Sequence, residues 1–234
     1  MLLGGFQPLT LIDFPGQVAC VVFTQGCNLR CGYCHNPGLL ARQVSKEAAA
    51  PAERQVFGFL EQRHGLLDGV VISGGEPTIQ EDLIEFLCHV RELGFLTKLD
   101  TNGTRPAVLR EALERGLLDY VAMDVKHDPA RYAEIAGVSV DPSDLAASRN
   151  LILNSGVDHE FRTTIVPQIH DESAMAEIAR FCAGASRFVL QGVLPRHAME
   201  PSFRDYAPPT DDHLRQRKQI AEQFVDNVQC QAIS

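Results

Sequence analysis

The sequence predicts an α/β protein in which parallel strands and outer helices form an open, partial (β/α)6 barrel. Short apolar runs alternate with amphipathic stretches along the chain, as expected for a parallel sheet with helical crossovers. Six such units, at roughly 30 residues or more each, fill most of the chain. A closed eight-unit barrel takes ~250 residues, and this chain has 234. A flat doubly wound sheet stays open as the alternative.

Six apolar runs predict the strands. Each run is short and is bounded by turn residues or by polar stretches, as is typical of buried strands. The runs are VACVVFT (18–24), DGVVISG (68–74), FLTKLDTNG (95–103), DYVAMDVK (119–126), DHEFRTTIVP (158–167) and SRFVLQGV (186–193). The final residues, NVQCQAIS, predict an additional edge strand.

Six amphipathic stretches predict the helices that connect these strands. In the second stretch, apolar residues recur at Leu83, Leu87 and Val90, and Gly94 closes the helix. The third stretch carries Pro106 near its first position, where proline suits a helix. The predicted helices span 51–65, 80–94, 105–116, 143–156, 172–184 and 211–227.

The chain is predicted to be one domain, 1–234, with a core at about 17–193 and a C-terminal connector and helix at 194–234. The segment 195–210, PRHAMEPSFRDYAPPT, carries four prolines and is interpreted as an irregular surface connector. A partner-binding loop is the alternative for that segment.

Composition and charge exclude several classes of protein. The chain is 45% apolar and 22% charged with a net charge of −9, which is typical of soluble globular proteins. Lys and Arg are scattered, so no nucleic-acid surface is predicted. No apolar run approaches the ~20 residues of a membrane span, and the N-terminus does not read as a signal peptide. The sequence therefore predicts a cytoplasmic protein.

The polar stretches that carry chemistry follow the predicted strands. TQGC comes after the first strand, SGGEP after the second and DTNG after the third, while MDVK crosses the end of the fourth. In parallel α/β folds, functional sites lie at the C-terminal ends of the strands. These stretches therefore predict the position of the site.

Three of the seven cysteines, Cys27, Cys31 and Cys34, are clustered in the spacing C-x3-C-x2-C. Thiolates are soft ligands that suit zinc or an iron–sulfur cluster. A four-iron cluster is often held by four cysteines, so three would leave one iron open for a substrate. Zinc held by these cysteines with His35 or a distant ligand is the alternative. The remaining cysteines are interpreted as core residues: Cys20, Cys88, Cys182 and Cys230.

The cysteine motif with Tyr33 before its last cysteine, followed by SGGEP (73–77), resembles the radical S-adenosylmethionine (SAM) superfamily. The fuller pattern GGFQPLTLIDFPGQVACVVFTQGCNLRCGYCHNPGLL, with DTNG and MDVK, is similar to the glycyl-radical activating enzymes. Within these it is most similar to the anaerobic ribonucleoside-triphosphate reductase activating proteins, with pyruvate formate-lyase activating enzymes as near relatives. The resemblance extends from Gly4 to about Val193.

The resemblance implies a [4Fe–4S] cluster whose open iron binds SAM and whose electron cleaves it to methionine and a 5′-deoxyadenosyl radical. That radical would take a hydrogen atom from a glycine Cα of a partner enzyme, here the anaerobic ribonucleotide reductase or a formate-lyase-like protein. No cysteine lies between Cys34 and Gly74, so a single cluster is expected. Flavodoxin or ferredoxin is then the expected electron donor.

The same resemblance assigns roles to individual residues. Cys27, Cys31 and Cys34 match the cluster ligands. The glycines of SGGEP allow close approach of a ligand, and its glutamate offers a carboxylate to the SAM ammonium. By itself, that motif would be interpreted as a turn. The matched SAM positions are Tyr33 near the adenine, Asn36 at the ribose, Gly74, Gly75 and Glu76 at the methionine, Lys126 at the carboxylate, and Arg162.

A monovalent cation beside the SAM carboxylate is also implied, held by Asp100 and Asp124 with backbone carbonyls near Thr101 and Ala122. The alternatives are an Asx-turn at Asp100 and an ion pair between Asp124 and Lys126. For Arg162, the alternative to SAM binding is a structural role as a salt-bridged residue of the barrel. The roles of His197, of Gln191 and of any redox chemistry at Cys20 stay open.

Two other functions compete with the activase. A small radical SAM enzyme such as 7-carboxy-7-deazaguanine synthase combines a similar cysteine motif with GGEP and an acidic end to the third strand. The non-enzymatic hypothesis is a zinc-stabilised α/β binding module, for which metal analysis should find one zinc with neither iron nor sulfide.

Overall fold

A computed structural model of the protein describes residues 1–41 and 51–231. Within these residues, eight strands form one sheet in the order β1-β2-β3-β4-β5-β6-β7-β8. The sheet is mostly parallel and is not closed, which confirms the predicted α/β fold of the partial-barrel type. The strands are β1 Leu3–Thr10, β2 Ala19–Thr24, β3 Gly69–Gly74, β4 Leu96–Thr101, β5 Tyr120–Asp124, β6 Asp158–Ile165, β7 Phe188–Gly192 and β8 Val228–Gln231.

Helices connect most of these strands, as predicted, and each predicted helix begins within three residues of its predicted start and ends two to six residues before its predicted end. Two short helices were not predicted: α4 (Tyr132–Ala136) lies before the fourth of the predicted helices, and α7 (Pro201–Arg204) lies within the connector. The helices are α1 Glu53–Glu61, α2 Leu83–Glu92, α3 Pro106–Glu114, α4 Tyr132–Ala136, α5 Pro142–Asn154, α6 Glu172–Phe181, α7 Pro201–Arg204 and α8 Asp211–Ala221. Among residues 1–41 and 51–231, none of the helices combines the length and the apolar composition that spanning a bilayer would require.

The chain divides into two compact units. The first unit comprises Met1–Asn28, Gly38–Thr101 and Arg105–Val121, and the second comprises Leu29–Pro37, Asn102–Thr104 and Ala122–Ser234. Each unit contains part of the predicted site.

In the first unit, the core is built on β2, β3 and β4. These strands are parallel, with Val22 paired to Ile72 and Ile72 to Leu99, and all three side chains are fully buried. Helix α2 buries its apolar residues, including Leu83 and Leu87, as its periodicity predicts. The apolar runs of the sequence thus became strands because both of their faces are covered.

The N-terminal strand β1 was not predicted, and it pairs antiparallel with β2. Gly4, Gly5 and Pro8 are poor strand formers, which is why its sequence does not read as a strand. Proline is tolerated there because β1 is an edge strand. A Cβ on Gly4 would lie 2.3 Å from the Leu39 side chain and 2.5 Å from the Gln25 side chain, so both side chains pack directly on this glycine.

In the second unit, β6, β7 and β8 are parallel, with Phe161 paired to Phe188 and Phe188 to Val228. The predicted C-terminal edge strand is therefore confirmed as β8, while residues 232–234 of that prediction lie outside the described residues. Helix α6 starts at Asp171, whose carboxylate accepts the Ala174 N–H at 2.8 Å and caps the helix. Its Met175 and Ile178 are fully buried.

Candidate active site

The SGGEP turn follows β3 and is held against the end of β2 by backbone hydrogen bonds. The Gly75 N–H donates to the Thr24 carbonyl at 2.9 Å, and the Glu76 N–H donates to the Gly26 carbonyl at 2.8 Å. Gly74 has a φ of 115°, which favours glycine. A Cβ on Gly75 would lie 2.0 Å from the Gly26 oxygen, so only glycine permits this contact. The turn is thereby fixed to the residue that precedes Cys27.

Cys27, the first cysteine of the motif, lies in this same unit. The Gly26 N–H donates to the Leu39 carbonyl at 2.7 Å, and the Cys27 N–H donates to the Leu40 carbonyl at 3.3 Å. These two bonds hold the backbone at Cys27 in place. Its side chain is half-buried and lines a cavity of about 500 Å³ with Arg105 and Glu111, among others. The cysteine is thus rigidly placed and accessible.

Glu76 is 1% exposed, so its carboxylate depends on protein hydrogen bonds. Its Oε1 accepts the Thr78 N–H at 3.1 Å and the Thr101 hydroxyl at 2.7 Å. The second of these bonds joins SGGEP to DTNG at the end of β4. The structure therefore brings together two motifs that the sequence places after different strands.

Asp100 is the second-last residue of β4 and lies beside a lysine that sequence reasoning missed. The Lys98 Nζ lies 2.6 Å from Asp100 Oδ1, and the Ser73 hydroxyl donates to Asp100 Oδ2 at 3.0 Å. Lys98 is 1% exposed. A charged residue two positions before Asp100 in an otherwise buried strand was the available signal, since residues i and i+2 of a strand share a face. The predicted Asx-turn instead occurs at Asn102, whose Oδ1 accepts the Thr104 N–H at 3.0 Å.

The other two cysteines lie in the second unit. The Cys34 N–H donates to the Cys31 carbonyl at 2.9 Å, so these two cysteines flank one tight turn. The Arg30 N–H donates to the Ala136 carbonyl at 2.7 Å and anchors the start of the turn to α4. Gly137, with a φ of 67°, permits that approach, because a Cβ there would lie 2.3 Å from the Arg30 oxygen.

His35 follows the last cysteine and anchors the turn to the end of β7. Its Nε2 accepts the Leu194 N–H at 3.0 Å, so the lone pair that a zinc ligand needs at this nitrogen is already used. Burial lowers the pKa of His35 below its ordinary value, and the charges of His197 and Lys126 act in the same direction. His35 is therefore a neutral positioning group, which weakens the zinc alternative.

The proline-rich connector packs on the cysteine turn. The Glu200 N–H donates to the Gly32 carbonyl at 3.0 Å, and the Phe203 ring lies 6.4 Å from that of Tyr33. A Cβ on Gly32 would lie 2.5 Å from the Phe203 ring. The connector is thus more than a surface connection, because α7 covers the residues between Cys31 and Cys34.

Tyr33 carries a buried polar group that a bound ligand could satisfy. It is 4% exposed, and its hydroxyl is buried with no hydrogen-bond partner among the described residues. A buried hydroxyl left unpaired costs about 1–3 kcal/mol. Burial raises the pKa of Tyr33 well above its ordinary value, so the group is a neutral donor.

Asp124, at the end of β5, is held between two cations. Its Oδ1 lies 2.9 Å from Arg162 Nε, and its Oδ2 lies 3.4 Å from Lys126 Nζ. Burial alone would raise the pKa of Asp124, but the charges of Arg162 and Lys126 outweigh it and lower the pKa to about 2. The proposed ion pair between Asp124 and Lys126 is present. Arg162 also lies 3.9 Å from Glu160, consistent with its alternative structural role.

Lys126 is held in place by two buried side chains that sequence reasoning missed. The Lys126 N–H donates to the Tyr132 hydroxyl at 3.3 Å, and that hydroxyl donates to the Asp124 carbonyl at 3.2 Å. His170 is fully buried, accepts the Val166 N–H at Nδ1 and donates from Nε2 to the Lys126 carbonyl, both at 2.9 Å. The segment after β5 is therefore fixed by a neutral imidazole.

This buried His170 predicts a loss of stability in mild acid. Burial lowers its pKa from 6.5 to about 4, and nearby His127 and Arg217 contribute. As the pH falls below 6.5, His170 binds a proton in the unfolded chain but stays neutral in the folded protein. Stability is therefore lost between about pH 6.5 and 4. We expect the free energy of unfolding to fall by about 2 kcal/mol from this group between pH 8 and 5. Urea unfolding of the wild type and of His170→Gln at several pH values measures this change in the free energy of unfolding. The prediction is contradicted if that free energy falls equally with pH in both proteins.

Other predicted positions lie at the surface or in the core. Asn36 and His197 are exposed, and the His197 Nε2 accepts from Arg196 Nε at 2.9 Å. Gln191 donates to Gln231 at 3.4 Å. Cys20 is fully buried, and burial raises its pKa to about 12, so it is an unreactive core thiol.

None of the seven cysteines forms a disulfide, so the three thiols of the motif could serve as ligands of a cofactor. Within residues 1–41 and 51–231, no three His, Cys, Asp or Glu side chains are gathered closely enough to hold a single metal ion. The donor set nevertheless fits a [4Fe–4S] cluster in its chemistry, since thiolates are the ligands of such clusters. The unpaired Tyr33 hydroxyl fits a polar ligand in the second unit.

The sequence profile described as Radical SAM superfamily matches residues 21–182, which is more than half of the chain. The chain belongs to the Radical SAM superfamily. This radical SAM enzyme is 34% identical over 241 residues to a Methanocaldococcus jannaschii protein named "Putative glycyl-radical enzyme activating enzyme", a match that covers 100% of this chain and 97% of the relative. It is 30% identical to the pyruvate formate-lyase-activating enzyme of Streptococcus mutans, over 89% of this chain and 86% of that protein.

Among solved structures, this radical SAM enzyme is similar in fold to Streptococcus suis SuiB bound to S-adenosylmethionine. The TM-score is 0.65 at 18% identity, and the match covers 90% of this chain and 48% of SuiB. The likeness supports the fold, and the superfamily implies a [4Fe–4S] cluster and SAM. When bound, the cluster supplies the electron that cleaves SAM.

The contact between the connector and the cysteine turn gives a second prediction. In Phe203→Ala, loss of the ring over Gly32 and Tyr33 opens the turn to solvent, and we expect the reconstituted cluster to bleach about tenfold faster in air. Visible absorbance follows the cluster. Phe224→Ala is the matched control, since Phe224 is also half-buried in the second unit but contacts Arg180 on α6. Equal bleaching of the two variants would show that the connector does not shield the turn.

Proposed function

We propose that this radical SAM enzyme is an activase that installs a glycyl radical in a partner protein. It would reductively cleave SAM at a [4Fe–4S] cluster and abstract a hydrogen atom from a glycine Cα. The relatives from M. jannaschii and S. mutans support this class over the length of the chain. The observation that carries the proposal is the backbone link from Glu76 to Gly26, which fixes the GGE turn beside the first cluster cysteine.

The proposed roles follow from these positions. The cysteines at 27, 31 and 34 would hold the cluster, and the rigid backbone around Cys27 and the Cys31–Cys34 turn would orient it. Gly74 and Gly75 allow SAM to approach the backbone. The proposed SAM contacts are Glu76 and Thr101 in the first unit and Tyr33, Asn36, Lys126 and Arg162 in the second.

Asp100 and Asp124 are less suited to a monovalent cation. Asp100 already faces the Lys98 ammonium, and Asp124 faces Arg162 and Lys126. We propose one cluster and SAM as the cofactors, in one radical SAM domain over 1–234 that works in the cytoplasm, with flavodoxin or ferredoxin as the electron donor.

The anaerobic ribonucleotide reductase is the preferred partner, on the strength of LIDFPG (11–16) and CHNPGLL (34–40). A formate-lyase-like enzyme is the second candidate, and the S. mutans relative supports it. The choice between these partners decides the substrate but leaves the chemistry of the site unchanged.

The test is anaerobic reconstitution with iron and sulfide, reduction, and addition of SAM and the ribonucleotide reductase of the same organism. Electron paramagnetic resonance should show a glycyl-radical doublet that is absent with Cys31→Ala and retained with Cys230→Ala, the exposed cysteine of β8. Formation of 5′-deoxyadenosine without a doublet would redirect the search to a formate-lyase-like partner or a small molecule. An intact cluster with neither signal would overturn the activase.

A further inference from the structure

Lys98 is the one lysine of the described residues that is almost fully buried, at 1% exposure, and it lies in the middle of β4. Burying an ammonium is costly unless it is paired. Lys98 Nζ lies 2.6 Å from Asp100 Oδ1 and 5.7 Å from the centre of the Tyr120 ring. The Asp100 carboxylate is therefore the charged partner that compensates the buried Lys98 ammonium.

The carboxylate of Asp100 has both oxygens engaged within the first unit. Oδ1 faces Lys98, while Oδ2 accepts the Ser73 hydroxyl at 3.0 Å. Its side chain is 12% exposed. A sodium or potassium ion on this carboxylate would have to lie next to the ammonium, and two cations repel strongly where solvent is largely excluded.

The second carboxylate expected to hold a cation shows the same arrangement independently. Within the second unit, Asp124 lies 2.9 Å from Arg162 Nε and 3.4 Å from Lys126 Nζ. Both carboxylates are thus neutralised by side chains of the protein, and a bound metal cation would add surplus positive charge at each.

We propose that the Lys98 ammonium replaces the monovalent cation at Asp100, so that this protein binds SAM without sodium or potassium. The ammonium supplies a fixed positive charge of the same size and sign as such an ion. It holds the Asp100 carboxylate in place through a charge-assisted hydrogen bond. The inference rests on the proposed use of SAM but on no particular partner protein.

The test measures SAM binding to the anaerobically reconstituted protein by equilibrium dialysis. Choline chloride is the only added salt in one series, and potassium or sodium chloride replaces it in two others. The wild type should bind SAM with the same Kd in all three, within about twofold. A wild-type Kd that rises tenfold or more in choline, by about 1.4 kcal/mol, would overturn the proposal.

Variants at Lys98 test the replacement directly. Lys98→Met keeps an unbranched side chain without the charge, so its SAM affinity should fall in choline and recover with potassium or sodium. Lys98→Met combined with Asp100→Asn removes both charges and should show no cation response. A response that persists in the double variant, or a single variant with wild-type affinity in choline, contradicts the proposal.

Lys218→Met is the matched control, because Lys218 is partly exposed on α8, where it pairs with Glu222. It should bind SAM like the wild type in every salt. Thermal unfolding of each variant reports whether it is folded, and if Lys98→Met does not fold, the wild-type series still decides. Because dialysis needs no partner enzyme, failure to form a glycyl radical would leave this result standing.

Discussion

Gly75→Ala is expected to lower the free energy of unfolding by about 3 kcal/mol, at the upper end of the cost of overpacking a closely packed site. The new Cβ would meet the Gly26 oxygen at 2.0 Å and the Leu39 oxygen at 2.9 Å. Both are backbone atoms, so neither can turn aside as a flexible side chain would. For a chain of this length, such a loss lowers the melting temperature by roughly 6–12 °C.

The same substitution should impair the cluster, because Gly26 directly precedes Cys27 and accepts the Glu76 N–H. Displacing Gly26 moves the first cysteine relative to the turn after β3. We expect the reconstituted variant to hold fewer than four irons per chain, as measured by iron and sulfide analysis. Calorimetry measures its melting temperature. Gly58→Ala is the control: Gly58 lies within α1 with nothing within 4 Å of its Cβ position. That variant should gain about 0.5–1 kcal/mol, and comparable behaviour of the two would refute the steric argument.

Glu76→Gln is expected to weaken SAM binding by roughly 10- to 100-fold, the effect of losing one hydrogen bond to a charged group. The amide oxygen can still accept from Thr78 and Thr101 in the place of Oε1, so the turn should persist. What the variant loses is the negative charge proposed to face the SAM ammonium. Equilibrium dialysis of the reconstituted protein measures the Kd.

The matched control is Glu81→Gln, because Glu81 is exposed a few residues further along the chain. It removes the same charge from the same region without touching the buried contacts. We expect its SAM affinity to equal that of the wild type. If Glu76→Gln also bound SAM normally while staying folded, the carboxylate would be a structural cap of the short 3-10 helix Pro77–Ile79 and nothing more.

The strands that the sequence predicted most directly are those with a continuous run of buried apolar residues. VACVVFT became β2 and DGVVISG became β3 because the apolar residues at the centre of each run are covered on both faces. β1 escaped prediction because Gly4, Gly5 and Pro8 carry no strand signal. Its pairing with β2 is a tertiary effect, which local sequence cannot report.

In the candidate site, too, the local features could be predicted and the long-range contacts could not. The cysteine motif and SGGEP were recognised because each is a short stretch of sequence, and the structure joins them through Gly26 and Glu76. The contacts that hold the cysteine turn in place could not be predicted from the sequence, since they come from distant parts of the chain. His35 bonds to Leu194, which is 159 residues away, and the contact of Phe203 with Gly32 is equally remote in sequence.

The order of the strands has a consequence for how the protein is made. Because β1 to β8 lie in the sheet in the order in which they occur along the chain, each strand that leaves the ribosome finds its neighbour already synthesised. Domains made from the N-terminus onwards at about 5–20 residues per second can fold as they emerge. This order allows the sheet to grow by addition of strands at one edge, and Gly26 and Glu76, which join the GGE turn to the end of β2, both precede the second half of the chain.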